Sequence, residues 1–373
     1  MPHRNRVTAL LLSTLALVAP PLVVALPQVA RAAPVTAPAP APRPGATKLP
    51  KRLGTLLGRT YNLQYHRGRA YLATTVGLRI VDLRNPTRPK PLGTLVIPGS
   101  VNGLTVDRTT AYVAAGPHGV ILADVSNPRR PKRLARIDTP GSANQVALDG
   151  KTLYVADGSF GVGIYDVTVP GKAKRLAKVE TGCYTRDVAV HGRWIIVACS
   201  RKGLVVFASH RAGKKKKAWP KPLYRVSLAG DARSLTFGPG RTLYVAAGEA
   251  GFHVLDARRP RRLKRVATAK VPDFAHGVSA WGSNLAVAAG EGGVHLFSCR
   301  RRNRPRQKAS YRPKPNRSAN KVFLRRGLVL VAYDAAGLHI LRSKGRTLTL
   351  RAIFPAPPKK KTKKKTKQAS TRR

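Results

Sequence analysis

The chain has 373 residues, enough for one large domain or two ordinary ones. It carries 70 Lys+Arg against 15 Asp+Glu, a formal net charge of +55 at pH 7. Only three of the basic residues precede residue 33 and nine follow residue 358, which excludes a basic tail as the sole source of the charge. Such a field attracts polyanions over long distances, and the attraction weakens as salt is added.

The first 32 residues are typical of an export signal. A basic start is followed by an apolar run over residues 7–18, and Ala30 and Ala32 form an A-x-A cleavage site. We expect cleavage after Ala32 and export to a secreted, periplasmic or cell-envelope location. An uncleaved membrane anchor is the alternative, although prolines interrupt the segment. No other apolar run approaches the ~20 residues that a spanning helix needs.

Two flanking segments are predicted to be unfolded. Residues 33–50 are dominated by Ala and Pro and form an extended linker with too few apolar groups to fold. Residues 357–373 are a low-complexity tail of like charge, so we expect disorder there as well. The tail contains Lys360 and Lys364, which we assign to a polyanion-binding surface.

Residues 51–356 are organised by an internal repeat. Each unit consists of an apolar strand, a short turn with Gly, a second apolar strand and a basic turn that usually contains Pro. The first of these strands begins at residues 71, 112, 154, 196, 244, 286 and 330, at intervals of 41, 42, 42, 48, 42 and 44 residues. That period fits the four-stranded blade of a β-propeller. The sequence therefore predicts an all-β fold, a seven-bladed β-propeller of four-stranded antiparallel blades.

The third unit illustrates the strands within one blade. Strands b and c are nearly continuous apolar runs, as expected where blades stack on both faces. A Gly precedes strand c in every unit, where a tight turn with positive φ would favour it, and a small Ala recurs in strand b. Strands a to d of this unit are expected at residues 144–149, 152–156, 161–167 and 175–179.

Strand c ends in a recurring motif. It is LRIVD at residues 78–82, followed by Asn85-Pro86, and ILAD at residues 121–124, followed by Asn127-Pro128. The motif resembles the LVIVD repeat family, and the resemblance extends over residues ~51–354. It implies a propeller-like fold and a secreted or envelope-associated protein, but no assigned activity.

The Asp of the motif is absent from three units, in which Ala208, Ser298 and Arg342 replace it. Where it is present, its carboxylate can cap the backbone of the turn that precedes the Pro. We favour this structural role over metal ligation.

Two segments compete for the outer strand of the last blade. Residues 52–57 resemble the outer strand of the first unit, and residues 348–354 also have the pattern of such a strand. Either one would bring the termini together and close the ring. We prefer the N-terminal segment.

Propeller topology places the a–b and c–d loops on one face, here called the lower face, and the b–c and d–a loops on the upper face. The basic clusters fall mostly in c–d loops, which predicts a ring of positive charge on the lower face. Loops that only solvate the surface are the alternative, although these are almost purely positive. In the folded body we assign polyanion binding to Arg129, Arg130, Lys132, Lys214, Lys215, Arg261, Arg262, Arg301 and Arg302.

The upper face gathers seven of the 15 acids, including Asp187, Asp231 and Asp273. Equivalent positions of strand a should meet at the mouth of the channel, where propellers commonly bind ligands. The residues at these positions are Tyr61, Asn102, Asn144, Arg186, Arg233, His276 and Asn320. Their mixture of amide, cationic and imidazole side chains suits a polar or anionic small ligand, whereas a solvated polar rim is the simpler interpretation.

The three cysteines have different expected states. Cys183 and Cys199 stand at the same end of paired strands, so they are compatible with a disulfide in an oxidising compartment or with two separate thiols. Cys299 would be unpaired and would act as a small hydrophobic residue.

The sequence gives little indication of a catalytic or metal site. His253, His295 and His339 recur in strand c, but equivalent positions of neighbouring blades are too far apart to share a metal ion, so we interpret them as packing residues. The sequence contains no GxSxG, HExxH, Walker-type or CxxC motif. We therefore expect no catalytic residue, metal or cofactor.

These features favour an exported, non-catalytic propeller that binds an anionic partner through the c–d loops and the tail. The partner would be an envelope or extracellular polymer or an acidic protein. Charge also allows an anionic membrane surface and non-specific nucleic acid, although the tail has no aromatic residue on which bases could stack. The alternatives are a protein–protein platform in an envelope assembly and a lactonase-like propeller hydrolase.

Overall fold

The computed structural model describes residues 59–209, 222–314 and 317–355. Within these ranges the chain forms 28 β-strands in seven four-stranded antiparallel sheets. The sheets are blades arranged in a ring, so the predicted seven-bladed β-propeller is confirmed. No helix of these residues is long and apolar enough to cross a membrane. The predicted leader, linker and tail lie outside the described residues.

Each blade takes its four strands consecutively from the chain, in the order a, b, c and d from the channel outward. From the first blade to the seventh, the strands are β1 Thr60–His66, β2 Arg69–Thr74, β3 Gly77–Asp82, β4 Lys90–Val96, β5 Gly103–Asp107, β6 Thr110–Ala114, β7 Val120–Asp124, β8 Lys132–Ile137, β9 Gln145–Asp149, β10 Thr152–Ala156, β11 Val162–Asp166, β12 Lys174–Val179, β13 Asp187–His191, β14 Trp194–Ala198, β15 Leu204–Ala208, β16 Tyr224–Val226, β17 Ser234–Gly238, β18 Thr242–Ala246, β19 Phe252–Asp256, β20 Lys264–Ala269, β21 Ala275–Trp281, β22 Asn284–Ala289, β23 Val294–Ser298, β24 Arg306–Tyr311, β25 Ala319–Arg325, β26 Leu328–Tyr333, β27 Gly337–Lys344 and β28 Thr347–Phe354.

The bounds of the third blade fall within one residue of the prediction. The Gly before strand c has positive φ in every blade, from 72° at Gly119 to 136° at Gly77. A Cβ atom at Gly119 would lie 2.1 Å from the carbonyl oxygen of Ile137 on strand d, so a side chain there would clash. This turn therefore needs Gly for two reasons, the backbone conformation and the close approach of the outer strand.

The core consists of seven apolar clusters, one at each contact between neighbouring blades. Strand b contributes to two clusters because its side chains alternate between the blade's two faces. Tyr71 and Ala73 of β2 pack toward the second blade, and Leu72 packs toward the seventh. The recurring Ala of strand b is fully buried in all seven blades, which allows neighbouring sheets to approach closely.

The ring closes through the cluster between the seventh and first blades. Leu63 and Leu72 of the first blade meet Leu338 and Phe354 of the seventh there. The outer strand of the seventh blade is β28, which pairs with β27 over seven residue pairs. The preference for residues 52–57 in this role was wrong, because the chain after Lys344 turns back and supplies the strand locally. Residues 52–57 lie outside the described residues.

Candidate functional site

All seven residues predicted at the channel mouth line one cavity of about 290 Å³ on the upper face. They converge because each blade directs strand a toward the channel, so that the residue at the start of each strand faces its six equivalents. Each of the seven is partly buried. We call the residues that line this cavity the channel mouth.

The next residue of several inner strands also lines the cavity, and simple alternation along a strand did not predict it. In the first and seventh blades the cause is a bulge in strand a, which leaves Tyr61 and Asn320 as extra residues opposite strand b. A bulge can turn two consecutive side chains toward one side of a sheet. The additional lining residues with side chains are Asn62, Gln145, Asp187, Ser234 and Lys321.

The asparagines of the mouth join neighbouring blades. Each carboxamide nitrogen donates a hydrogen bond to a backbone carbonyl of the next blade, which fixes the direction of the carboxamide. The Oδ1 atoms of Asn102 and Asn144 accept no hydrogen bond from a described residue and so remain available as acceptors. The nitrogen–oxygen distances are 3.2 Å from Asn102 to Ala143, 2.8 Å from Asn144 to Thr185 and 3.2 Å from Asn320 to Thr60.

Two arginines of the mouth share one carboxylate. Asp231 is buried behind the cavity, with its oxygens 3.5 Å from Nε of Arg186 and 3.2 Å from Nη1 of Arg233. Arg186 also donates from Nε to the hydroxyl of Ser200 at 2.9 Å. The guanidinium of Arg233 lies over the ring of Phe274. Because one carboxylate serves two guanidiniums, this part of the mouth retains one excess positive charge.

Lys321 is one of the residues that line the cavity, and its side chain passes Gly277 of the sixth blade. It extends from the seventh blade to the fifth, where its ammonium donates to the hydroxyl of Ser234 at 3.0 Å. The ammonium also lies 4.0 Å from the carboxylate of Asp187 on the fourth blade. Burial raises the pKa of Asp187, and the opposing influence of Lys321 and the backbone donors reduces that rise.

His276 is a neutral member of the mouth. Burial and, to a smaller extent, the charge of Arg233 lower the pKa of His276 to about 4. At pH 7 the imidazole therefore offers one N–H donor and one nitrogen acceptor. The mouth combines cations, neutral donors and fixed amide acceptors within a small volume, which suits recognition of a polar ligand.

The lower face is organised around the aspartates of the repeat. Each carboxylate accepts a hydrogen bond from the backbone N–H two residues later and thereby shapes the c–d turn, which is the structural role preferred above. Hydrogen bonds from the Thr168 hydroxyl and, second, from the Thr168 backbone N–H lower the pKa of Asp166. The oxygen–nitrogen distances are 2.9 Å for Asp82, 2.8 Å for Asp124, 2.8 Å for Asp166 and 3.0 Å for Asp256.

The basic residues predicted on this face lie where the c–d loops were expected. Arg129, Arg130 and Lys132 are exposed on the second blade, and Arg261 and Arg262 are exposed on the fifth. Lys214, Lys215, Lys360 and Lys364 lie outside the described residues.

On the sixth blade, the two predicted basic residues differ in their exposure to solvent. Arg301 is exposed, but Arg302 is partly buried and lies 3.6 Å from the carboxylate of Asp256 on the fifth blade. Arg302 therefore joins the two blades and is less accessible to an external partner than its neighbour.

Two grooves on the fifth and sixth blades concentrate the charge. The larger has a volume of about 930 Å³, and among the described residues that line it Asp256 is the only acid. The smaller has a volume of about 410 Å³ and is lined by Ser298 and four arginines. The bases of the larger groove are Arg258, Arg259, Arg262, Lys264 and Arg265, and those of the smaller are Arg300, Arg301, Arg304 and Arg306.

The cysteines and histidines occupy separate positions. Cys183 and Cys199 form a disulfide at the upper end of the fourth blade, with Cα atoms 5.5 Å apart, and Cys299 is buried and free. His253, His295 and His339 are buried. His253, for example, contacts Thr268 and the carbonyl of Ala229, each at 2.8 Å. In the part of the chain that the structure describes, no group of three His, Cys, Asp or Glu could hold a metal ion.

The family comparison agrees with the repeat found in the sequence. The LVIVD repeat family model matches residues 98–139, 140–172 and 182–207. The chain carries LVIVD repeats. The matched segments fall in the second, third and fourth blades of this LVIVD-repeat propeller, where the period is most regular.

Solved structures show the same fold at low identity. The propeller is similar to the computationally designed Ika8 protein, at 8% identity and TM-score 0.57 over 76% of this chain and 83% of that chain. It is similar to the β-propeller domain of Cps50 (Swd1) from Myceliophteria thermophila, at 14% identity and TM-score 0.63 over 77% and 98%. A chain of the mitotic checkpoint complex matches at 11% identity and TM-score 0.62 over 76% and 89%. No curated protein matches the chain.

Proposed function

We propose that this LVIVD-repeat propeller is an exported, non-catalytic scaffold that binds an anionic polymer across its lower face. The observation that carries the proposal is the pair of basic grooves on the fifth and sixth blades. Among the described residues, nine bases and one acid line them, and the acid, Asp256, is already engaged by Arg258 at 2.5 Å and Arg302 at 3.6 Å. The remaining positive charge faces solvent.

A polymer fits this arrangement better than a small ligand. The bases are spread over two open grooves of adjacent blades and do not converge on one point. A chain with repeated phosphate, sulfate or carboxylate groups could contact both grooves and release counterions from each. Such binding depends on spacing and charge more than on the chemical identity of the polymer.

Export and the basic tail belong to the same proposal. A signal peptide at residues 1–32 would deliver the propeller to a compartment with anionic envelope or extracellular polymers, and the tail at residues 357–373 would add a second basic contact. Secreted protein should begin at Ala33, which N-terminal sequencing would establish. A protein that starts at Met1 would contradict cleavage.

The central experiment compares two variants with the same change in net charge. One replaces Arg259, Arg262, Arg301 and Arg304 by Gln on the lower face. The control replaces the exposed upper-face residues Arg201, Arg312, Lys314 and Arg317 by Gln. Binding of the full chain to heparin and to duplex DNA is measured across a NaCl series.

We expect the lower-face variant to lose affinity by about 10- to 100-fold at 0.15 M NaCl and to show a salt slope on DNA shallower by about 3–4. The control should lose less than about threefold. Equal losses in both variants would show that total charge, and not the grooves, governs binding. A chain that ends at residue 357 separates the tail: if it binds no polymer, the proposal for the folded face fails. Binding to an acidic protein that persists at ~1 M salt would favour the platform instead.

A further inference from the structure

The channel mouth has features that the polymer-binding proposal does not use. It lies on the upper face, away from the basic grooves, and its volume of about 290 Å³ is at the small end of the range for ligand pockets. Lys321 lines the cavity and reaches from the seventh blade to the fifth, with its ammonium near Ser234 and Asp187. We call this cavity the cup. A cup of this size would hold a molecule about as large as a monosaccharide.

One arc of the cup offers positive charge. Arg186 and Arg233 come from adjacent blades, and among the described residues Asp231 is the one carboxylate within ion-pair distance of both. Arg186 commits Nε to Ser200, and Arg233 commits Nη1 to Asp231, which leaves further N–H groups on both guanidiniums. Paired guanidinium N–H groups recognise carboxylate and phosphate oxygens in two-point contacts.

The neighbouring arc offers acceptors. The carboxamides of Asn102 and Asn144 are fixed by their donation to Ala143 and Thr185, so each presents its Oδ1 atom as an acceptor in a set direction. Acceptors of this kind bind hydroxyl or ammonium donors. The excess positive charge of the adjacent arginines repels an ammonium, which leaves hydroxyl groups as the matching chemistry.

We infer that the channel mouth binds a small anionic polyol, a monosaccharide-sized molecule with one carboxylate or phosphate and several hydroxyl groups. The anionic group contacts Arg186 and Arg233, and the hydroxyl groups donate to Asn102 and Asn144. This site is separate from the lower face and does not depend on polymer binding there.

Isothermal titration calorimetry of the full chain at 0.15 M NaCl, in a buffer free of phosphate, tests the inference. The probes are glucuronate, glucose 6-phosphate, neutral glucose, and acetate and inorganic phosphate as bare anions. We expect at least one of the two anionic sugars to bind with one site per chain. Glucose and the corresponding bare anion should bind at least tenfold more weakly. Binding of glucuronate alone would identify a carboxylate as the preferred group, and binding of glucose 6-phosphate alone would identify a phosphate.

Two variants locate the site and one serves as the control. Arg186→Gln and Arg233→Gln should each weaken binding at least tenfold, whereas Arg262→Gln in the lower-face groove should leave it unchanged. Circular dichroism and thermal melting establish that each variant is folded, and the more exposed Arg186→Gln provides the test if Arg233→Gln is not. The inference is overturned if neither anionic sugar saturates the protein at 10 mM. The inference is also overturned if glucose or the bare anion binds as tightly as the anionic sugar. Binding that is lost only in Arg262→Gln would overturn it too.

Discussion

The two faces of the propeller use positive charge in opposite ways. At the channel mouth, Arg186 and Arg233 are partly buried and flank the carboxylate of Asp231. On the lower face, Arg259, Arg262 and their neighbours are exposed, and within the described ranges most of them have no carboxylate within ion-pair distance. Paired charges in a confined cup favour one ligand geometry, whereas unpaired charges on open loops provide a collective attraction that salt screens.

The same contrast extends to stability. The upper face contains the disulfide, the shared carboxylate of Asp231 and several buried histidines, so single substitutions there should lower the free energy of unfolding strongly. The lower face is built from separate turns, several of which have their own Asp, so single substitutions there should lower the free energy of unfolding only slightly. Substitutions on the upper face should therefore lower the free energy of unfolding more than substitutions on the lower face.

The disulfide is expected to contribute most. Cys183 and Cys199 are separated by 16 residues, and replacing both by Ala should lower the free energy of unfolding by about 3 kcal/mol because the unfolded chain gains freedom. Urea denaturation measures the loss. The third blade supplies the control: there the N–H of Gly141 donates to Asp157 at 3.0 Å in the equivalent place, and Asp157→Ala should cost about 1 kcal/mol. Equal losses would show that the covalent bond adds nothing.

Acid should lower the free energy of unfolding through the buried histidines, which bind protons less readily in the folded state than in the unfolded state. Burial lowers the pKa of His339 to about 4, whereas an unfolded histidine titrates near 6.5. Between these values the unfolded state binds the proton first, so the contribution is fully present above pH 6.5 and is lost as pH falls toward 4. At pH 4.5 the loss from this residue should be about 2 kcal/mol.

His339→Phe removes that proton site while it keeps an aromatic ring beside Tyr333, whose centroid is 4.5 Å from the imidazole. Urea denaturation at pH 7.5 and 4.5 should show a smaller difference between the two pH values for the variant than for the native chain. His253 and His295, whose pKa values are also lowered by burial, would retain part of the pH dependence. An unchanged difference would rule out His339 as a source of acid sensitivity.

Asp231→Asn should lower the free energy of unfolding by about 2 kcal/mol, because two partly buried guanidiniums then face each other without a counter-charge. Asp256→Asn is the matched change on the lower face, since Asp256 also contacts two arginines, Arg258 and Arg302. Its loss should be smaller, because solvent reaches Arg258 and Asn still caps the turn. A larger loss for Asp256→Asn, measured by urea denaturation, would reverse the ranking of the faces.

The smallest effect is expected at a single repeat aspartate. Asp166 accepts hydrogen bonds from the backbone N–H of Thr168 at 2.8 Å and from its hydroxyl at 2.6 Å. Asp166→Ala should cost about 1 kcal/mol, the usual net value of such a contact, and Asp166→Asn should retain most of it. Thermal unfolding of both variants measures the difference. Equal losses would mean that charge, and not the cap, stabilises the turn.

Much of the candidate site could be predicted because a repeat converts sequence position into spatial position. Once Asn102 and Asn144 occupy the same place in two units, a ring of blades brings their equivalents to one cavity. The second lining residue of five inner strands was missed. In the first and seventh blades, the bulges at Tyr61 and Asn320 break the alternation that a regular strand would follow. Nothing in the local pattern distinguishes a bulged strand from a regular one.

The sequence by itself determined the number of blades, the strands within each blade and the face to which each loop belongs. These features depend on pairing between adjacent segments and on a period of 41 to 48 residues, both of which are local. Only the tertiary structure decided that β28 completes the last blade, that Asp231 serves two arginines and that Lys321 reaches Ser234 two blades away. These contacts depend on how the curvature of the whole ring brings side chains of different blades together, which no single repeat encodes.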